Sequence, residues 1–235
     1  MSGSTKGVGK AIARQLKLEG YIVIQNSRSV ALKSELVGEA HMMADVTDAK
    51  ECKDLIGKII EKYGNLDVLV CNVGSGKGLE ENTSTLNSWH HFLSLNLSST
   101  TLLVESALEA LINSKGNVVA ISSICGEDPT IDAPIEYTTA KAALGMFMKT
   151  MAVRYGHLGL RFNVVSPGNV LFDGSVWDRK LKSNEVSTTT YIENSVPLRR
   201  FVEPQDIANA VSFLAGPSGR NITGVVLPVD GGQSL

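Results

Sequence analysis

The chain has 235 residues, 43% hydrophobic and 20% charged, with a formal net charge of −2. That length supports one sizeable core, and the composition reads as globular rather than disordered. The near-neutral balance gives no case for a nucleic-acid partner or an anionic membrane surface.

No apolar run approaches the roughly 18 residues of a membrane helix. The opening Met-Ser-Gly-Ser-Thr-Lys lacks the apolar stretch of a signal peptide, so a cytoplasmic location is expected. Cys52, Cys71 and Cys125 stand alone, without disulfide or metal-ligand spacing, and read as reduced thiols; no metal is expected.

In chain order, short apolar runs at 21–25, 41–45, 66–71, 117–121, 161–165 and 224–229 read as strands. Their apolar character is continuous rather than alternating, which suits a sheet covered on both faces. Helical patterns at 8–18, 49–63, 86–113, 135–157 and 204–215 fall between them. The alternation predicts an α/β fold: a doubly wound, Rossmann-like parallel sheet with right-handed crossovers, in a single domain over 1–235. Residues 169–203 break the rhythm. They are polar, include Ser187-Thr188-Thr189-Thr190 and lack clean periodicity, so they read as a long irregular segment. Following a strand's carboxyl end, they are expected to form a substrate lid.

Ser2-Gly3-Ser4-Thr5-Lys6-Gly7-Val8-Gly9 leads into the first helical pattern. Glycines let a backbone approach phosphate closely, and a helix start offers N–H groups and a favourable dipole. Gly3, Ser4, Thr5, Lys6, Gly7, Val8 and Gly9 are therefore candidates to hold a pyrophosphate. The second strand run leads into Asn26-Ser27-Arg28, with no carboxylate to take a ribose 2′-hydroxyl. Lys6 and Arg28, with Ser27 between strand and arginine, instead suit a 2′-phosphate. NADP(H) is thus expected over NAD.

Tyr137-Thr138-Thr139-Ala140-Lys141 puts a phenol and an ammonium at i and i+4, on one helix face. A phenol of pKa ~10 moves protons poorly at neutral pH unless a nearby cation favours the phenolate. On its own this pair is common by chance.

Several ordered signatures carry a resemblance. Gly3-x-x-x-Gly7-x-Gly9, Asp45-Val46, Asn72-Val73-Gly74, Asn96 and Ser123 precede Tyr137-x-x-x-Lys141. Asn163-Val164-Val165-Ser166-Pro167-Gly168, Ile222-Thr223-Gly224 and Val229-Asp230-Gly231-Gly232 follow it. Nearly the whole chain resembles the short-chain dehydrogenases/reductases. The resemblance implies that Asp45 meets the adenine amino group and Val46 packs on its ring. It places Asn72, Gly74, Pro167 and Gly168 beside the cofactor, with Val73 replacing the usual alanine. It implies that Tyr137 exchanges the proton, Ser123 binds the substrate oxygen, and Lys141 lowers the Tyr137 pKa and holds the ribose. Asn96 bends its helix and supports a water. It also implies a homo-oligomer, a tetramer or dimer, packed through 86–113 and 135–157.

The sequence departs from the family in one respect: a first strand is expected before Gly3, where only Met1 and Ser2 stand. A sequence lacking its natural start, or a segment hidden by the numbering, is expected over a truly shortened protein. The stretch after Gly168 resembles oxidoreductases of flagellin or surface-polysaccharide sugar pathways. There Asn169 is a further candidate for substrate binding, Trp177 could stack on a sugar face, or merely anchor the lid, and Asp173 or Asp178 could meet hydroxyls. A 3-oxoacyl-type ketone reductase and a non-catalytic NADP(H)-binding regulator are the alternatives.

Overall fold

The computed structural model describes residues 1–32, 36–77, 85–129 and 133–235. Its strands are β1 (Ile24–Ser27), β2 (Ala40–Met43), β3 (Val68–Cys71), β4 (Asn117–Ile121), β5 (Arg161–Pro167) and β6 (Val226–Val229). Its helices are α1 (Gly7–Leu18), α2 (Ala49–Tyr63), α3 (Thr85–Leu93), α4 (Ser99–Ser114), α5 (Ile135–Tyr155), α6 (Val176–Ser183), α7 (Glu185–Ser195) and α8 (Pro204–Ala215). Every strand pairing is parallel, in the orders β1-β2 and β3-β4-β5-β6.

The continuous apolar strands are explained by burial on both faces. In β4, Val118 and Ala120 join a core with Leu55 and Ile59 of α2, Leu103 of α4 and Leu144 of α5. Val119 and Ile121, pointing the other way, join Ile12 of α1 with Ile207 and Val211 of α8. Side chains alternate with period 2, and helices cover both faces, so both sets are apolar. This is the doubly wound α/β arrangement.

Among the described residues no strand precedes the glycine turn. Residues 1–4 lie between the two sheets instead. The Met1 amine donates to Ile24 O (3.0 Å), Asn26 N to Met1 O (3.1 Å) and Ser4 N to Asn26 O (3.1 Å). On the other side Ser2 N donates to Val70 O (3.0 Å), and Ser2 Oγ accepts from Asn72 N (3.1 Å). The backbone leading into the turn is thus anchored along β1 and at the carboxyl end of β3. The same bonds explain why β1 starts at Ile24 rather than at 21. Pairing with residues 1–4 and the Ile24↔Ala40 to Ser27↔Met43 register leave Tyr21 and Ile22 outside the ladder.

Two expected elements differ. The helix expected at 86–113 is α3 and α4 separated by a π turn, Ser94–Ser98, centred on Asn96. Residues 169–203, expected to be irregular, contain α6 and α7. Their starts are capped: Ser175 Oγ accepts from Asp178 N (3.0 Å), and Asn184 Oδ1 from Ser187 N (3.0 Å). These caps offset the weak helix propensity of a Ser/Thr-rich stretch.

Candidate active site

The carboxyl ends of β3, β4 and β5 open into a cavity of about 730 Å³. In such sheets ligands bind outside the carboxyl ends of the strands. One wall is the start of α1. Gly3 and Gly7 have φ of +57° and +49°, which L side chains rarely adopt. A Cβ on Gly9 would stand 2.2 Å from Gly3 O, so the turn closes only around glycine. Asn72 Nδ2 holds Gly3 O (2.8 Å), and Gln25 Nε2 holds Ser4 O (2.6 Å). No side chain caps the α1 start, leaving its first N–H groups to an anion. This cradle, too tight for any Cβ at Gly9, fits the diphosphate of a dinucleotide.

Tyr137 and Lys141 come from α5, on the facing wall. Lys141 is 3% exposed. Its Nζ donates to Ile121 O at 2.9 Å and lies 5.8 Å from the centre of the Tyr137 ring. Ser123 follows β4 and hydrogen-bonds the Tyr137 phenol. The Ser123 hydroxyl also accepts from Cys125 N (3.3 Å), in the turn Ile124–Gly126. Asn96, fully buried, binds the loop after β3. Its Oδ1 accepts from Ser75 N (2.9 Å), and its Nδ2 donates to Ser75 O and Phe92 O (both 3.1 Å). The π turn widens the helix there and loosens the i−4 ladder, so a side chain can take a helix carbonyl. A Cβ on Gly74 would stand 2.8 Å from Asn96 Oδ1 and 2.9 Å from Lys141 Nζ. Gly74 therefore lets these two groups meet across one backbone.

Burial dominates the electrostatics. It pushes the Tyr137 phenol up to about 12, against the hydrogen bond from Ser123. It pulls the Lys141 ammonium down to about 8, with Glu127 acting in the opposite sense. This departs from the expected lowering of the Tyr137 pKa by Lys141. Lys141 is not among the groups that shift the Tyr137 phenol in this structure; burial, which disfavours the phenolate, dominates.

Of the residues singled out from sequence, Lys6, Gly7, Val8, Gly9, Asn72, Gly74, Ser123, Tyr137, Lys141, Pro167, Gly168, Asn169 and Trp177 line this cavity. Gly3, Ser4, Thr5 and Asn96 support it from behind. Ser4 and Asn96 are fully buried, and Ser4 Oγ is committed to Met1 O (2.9 Å). Ser27, Arg28, Asp45 and Val46 lie apart, at the ends of β1 and β2. Ser27 Oγ donates to Ser29 O (2.8 Å) and pairs with His41 Nε2 (2.7 Å). Arg28 reaches Asp45 at 3.9 Å. Burial raises the Asp45 carboxyl, but hydrogen bonds from Thr47 and the Arg28 charge bring it below its ordinary value.

The 169–203 segment differs from expectation in its acids. The side chain of Asp173 is 100% exposed and pairs with Lys182 (3.4 Å); Asp178 pairs with the same lysine (2.8 Å). Neither lines the cavity; Asp178 also accepts from Gly174 N (2.9 Å). Trp177 stacks on Tyr191 (5.4 Å between centroids, 17°) and packs on Phe201 (5.8 Å), so it ties α6 to α7. Asn169 is buried with no partner for its Nδ2.

Reasoning from sequence missed Lys77, Phe172, Arg179, Lys180, Tyr191 and Gln233, all of which line the cavity. The Phe172 ring lies against the glycine turn, 2.7 Å from where a Gly7 Cβ would stand. Capping pairs at 175–178 and 184–187 were the signals that could have revealed α6 and α7, and with them Arg179, Lys180 and Tyr191.

Comparison with known proteins follows the same lines. A family model described as Enoyl-(Acyl carrier protein) reductase matches residues 3–234. Glucose 1-dehydrogenase 2 of Bacillus subtilis (strain 168) is 30% identical over 247 residues, covering 100% of this chain and 93% of that protein. L-fucose dehydrogenase of Bos taurus is 32% identical over 243 residues, covering 100% of this chain and 88% of that protein. Among solved structures, the ligand-free aldohexose dehydrogenase of Thermoplasma acidophilum superposes with a TM-score of 0.87 at 29% identity, covering 99% of this chain and 92% of that one.

Proposed function

Since the chain belongs to the short-chain dehydrogenase/reductase family of oxidoreductases, we propose that it interconverts a carbonyl and an alcohol on a small molecule with NADP(H). The observation that carries this reading is the convergence of Ser123, Tyr137 and Lys141 on one cavity with the glycine turn. When bound, the nicotinamide supplies or accepts the hydride. In reduction, Tyr137 gives its phenolic proton to the substrate oxygen. The Ser123 hydroxyl donates to the same oxygen as charge develops. Lys141 holds ribose hydroxyls beside Tyr137 and supports return of the proton. Asn96 fixes the 74–75 loop and is assigned to support a water in the relay.

The cofactor's acidic end is assigned to the glycine turn, and its 2′-phosphate to Lys6 and Arg28; no carboxylate occupies the 25–28 stretch. Asp45 and Val46 take the adenine, and Pro167 and Gly168 flank the nicotinamide. Residues 169–203 serve as lid to a single 1–235 domain, with Asn169 on the substrate and Trp177 as its internal anchor. Two of the relatives above are named as sugar dehydrogenases, which favours a sugar-like substrate over an acyl chain. Among the described residues no helix is long and apolar enough to cross a membrane. We place the enzyme in the cytoplasm as a homo-oligomer, a tetramer or dimer.

Thermal unfolding with NADPH and with NADH tests the cofactor reading. A ligand at about 100 times its Kd stabilises by about 2.7 kcal/mol, so a clear rise in Tm with NADPH and little with NADH is expected. Tyr137→Phe tests the chemistry: turnover is expected to fall by about 10²–10⁴ while NADPH binding is largely spared. Near-normal rates in that variant would refute the assignment.

A further inference from the structure

The cavity beside Tyr137 is lined by cations and, among the described residues, by no carboxylate. The chain as a whole carries −2, so this is a local concentration of positive charge. Lys6 belongs to the glycine turn and Lys141 to the Tyr137 pair. Three cations remain: Lys77, Arg179 and Lys180. Lys77 follows Gly76, whose backbone packs on the Tyr137 ring; a Cβ there would stand 3.8 Å from the phenol carbons. That puts Lys77 on the side where the reacting oxygen meets Tyr137. Arg179 and Lys180 come from α6. Arg179 Nη1 donates to Gly174 O (2.8 Å), and Lys180 Nζ lies 4.5 Å from the centre of the Trp177 ring. Those contacts orient the two heads; Arg179 also feels the charge of the neighbouring Asp178, whose carboxylate accepts hydrogen bonds from Lys182 and Gly174 N.

The two acids nearest these cations in the chain, Asp173 and Asp178, both pair with Lys182. Neither aspartate lines the cavity, whereas Arg179 and Lys180 do. A neutral polyol's hydroxyls both donate and accept, whereas lysine and arginine offer charged donors only, whose stronger match is an acceptor-only anion. Their match is an oxyanion, and the guanidinium fork suits carboxylate or phosphate in particular.

We propose that the substrate is an anion, a small carbonyl or alcohol compound bearing a carboxylate or phosphate that Lys77, Arg179 and Lys180 hold while Tyr137 faces the reacting oxygen. This rests on the oxidoreductase reading of the same cavity. The cofactor's own phosphates are the other source of such charge, and the test separates the two.

NADPH-saturated protein is titrated with inorganic phosphate and with glucuronate, following tryptophan fluorescence and Tm. Glucose serves as the neutral counterpart, and chloride matches the ionic strength. Saturable binding of both anions is expected, about tenfold or more tighter than glucose. In Arg179→Gln/Lys180→Gln that binding weakens by about tenfold or more, while NADPH affinity is unchanged; Lys180→Arg retains it. Both positions are exposed on α6, and the variant's own melt checks its fold. Anions that bind no better than glucose or chloride, or bind the double variant equally well, overturn the proposal. A matching loss of NADPH affinity in the variant also overturns it, by assigning the cations to the cofactor. Failure of the underlying reading looks different: neither NADPH nor NADH then shifts the melt of the unaltered protein.

Discussion

The Lys141 ammonium sits 5.8 Å from the centre of the Tyr137 ring, four residues along α5, while its proton goes to Ile121 O at 2.9 Å. Burial drives the pair apart in proton affinity, with the phenol raised to about 12 and the ammonium lowered to about 8. An amine lowered to about 8 releases a proton more readily than an ordinary lysine does.

A stability prediction follows from Lys141. Its pKa falls from 10.5 to about 8 on folding. Between those values the unfolded chain binds more protons, so this group's contribution to stability rises with pH across that window. Below it, the buried ammonium costs on the order of 3 kcal/mol. Lys141→Met removes that cost and loses about 1 kcal/mol from the bond to Ile121 O. The variant is expected to melt higher than the parent at pH 7, to lack the parent's rise with pH, and to be inactive. A lower Tm at pH 7 would sink this account of the site.

Asn96 is expected to matter through the loop it holds. Asn96→Ala leaves Ser75 N, Ser75 O and Phe92 O without their partner, at a cost of about 2–3 kcal/mol. For a chain of this size that is a Tm loss of roughly 5–10 °C, with turnover falling further than NADPH affinity. Calorimetry and steady-state rates on one preparation check both; an unchanged melt contradicts the buried-bond argument.

Two glycines provide a matched contrast. Gly9→Ala drives a methyl to 2.2 Å from Gly3 O, so the turn must open and dinucleotide binding is expected to be lost. Gly57, within α2, has nothing within 4 Å of an added Cβ. Gly57→Ala should therefore stabilise by about 0.5–1 kcal/mol, the helix-propensity gain alone. Melting curves with and without NADPH separate the two, and tight NADPH binding by the Gly9 variant would refute the cradle.

Cofactor preference is expected to reside in Lys6 and Arg28. Arg28 is only loosely drawn to Asp45, at 3.9 Å, with its side chain 71% exposed. It can therefore turn to a phosphate at small cost. Removing either cation by Arg28→Ala or Lys6→Ala should weaken NADPH by about tenfold, the worth of one charged hydrogen bond, and leave NADH unchanged. Equal losses for both dinucleotides would move these residues away from the 2′-phosphate.

The strand and helix order, the glycine turn and the Tyr137–Lys141 spacing were all legible in the residues. Each is a local pattern: period 2 or its absence, period 3.6, or a fixed offset on one helix face. The chain also marks Asn96 and Ser123, although nothing local says that Asn96 would spend its side chain on Ser75 and Phe92 inside a π turn. The helices of 169–203 were hidden because Thr188-Thr189-Thr190 disfavours a helix, while the caps that offset this, Ser175 and Asn184, resemble ordinary loop residues.

By itself the sequence determined which chemistry the chain carries, because residue types at short, regular spacings impose their own geometry. Tertiary structure alone decided which of them share a cavity. It turned Asp173 to solvent, brought Arg179, Lys180, Tyr191 and Gln233 in from the lid and the C-terminal turn, and set the Tyr137 and Lys141 pKa values through burial. Burial and contacts between residues far apart in the chain depend on how both faces of the sheet are covered, and no local period encodes that.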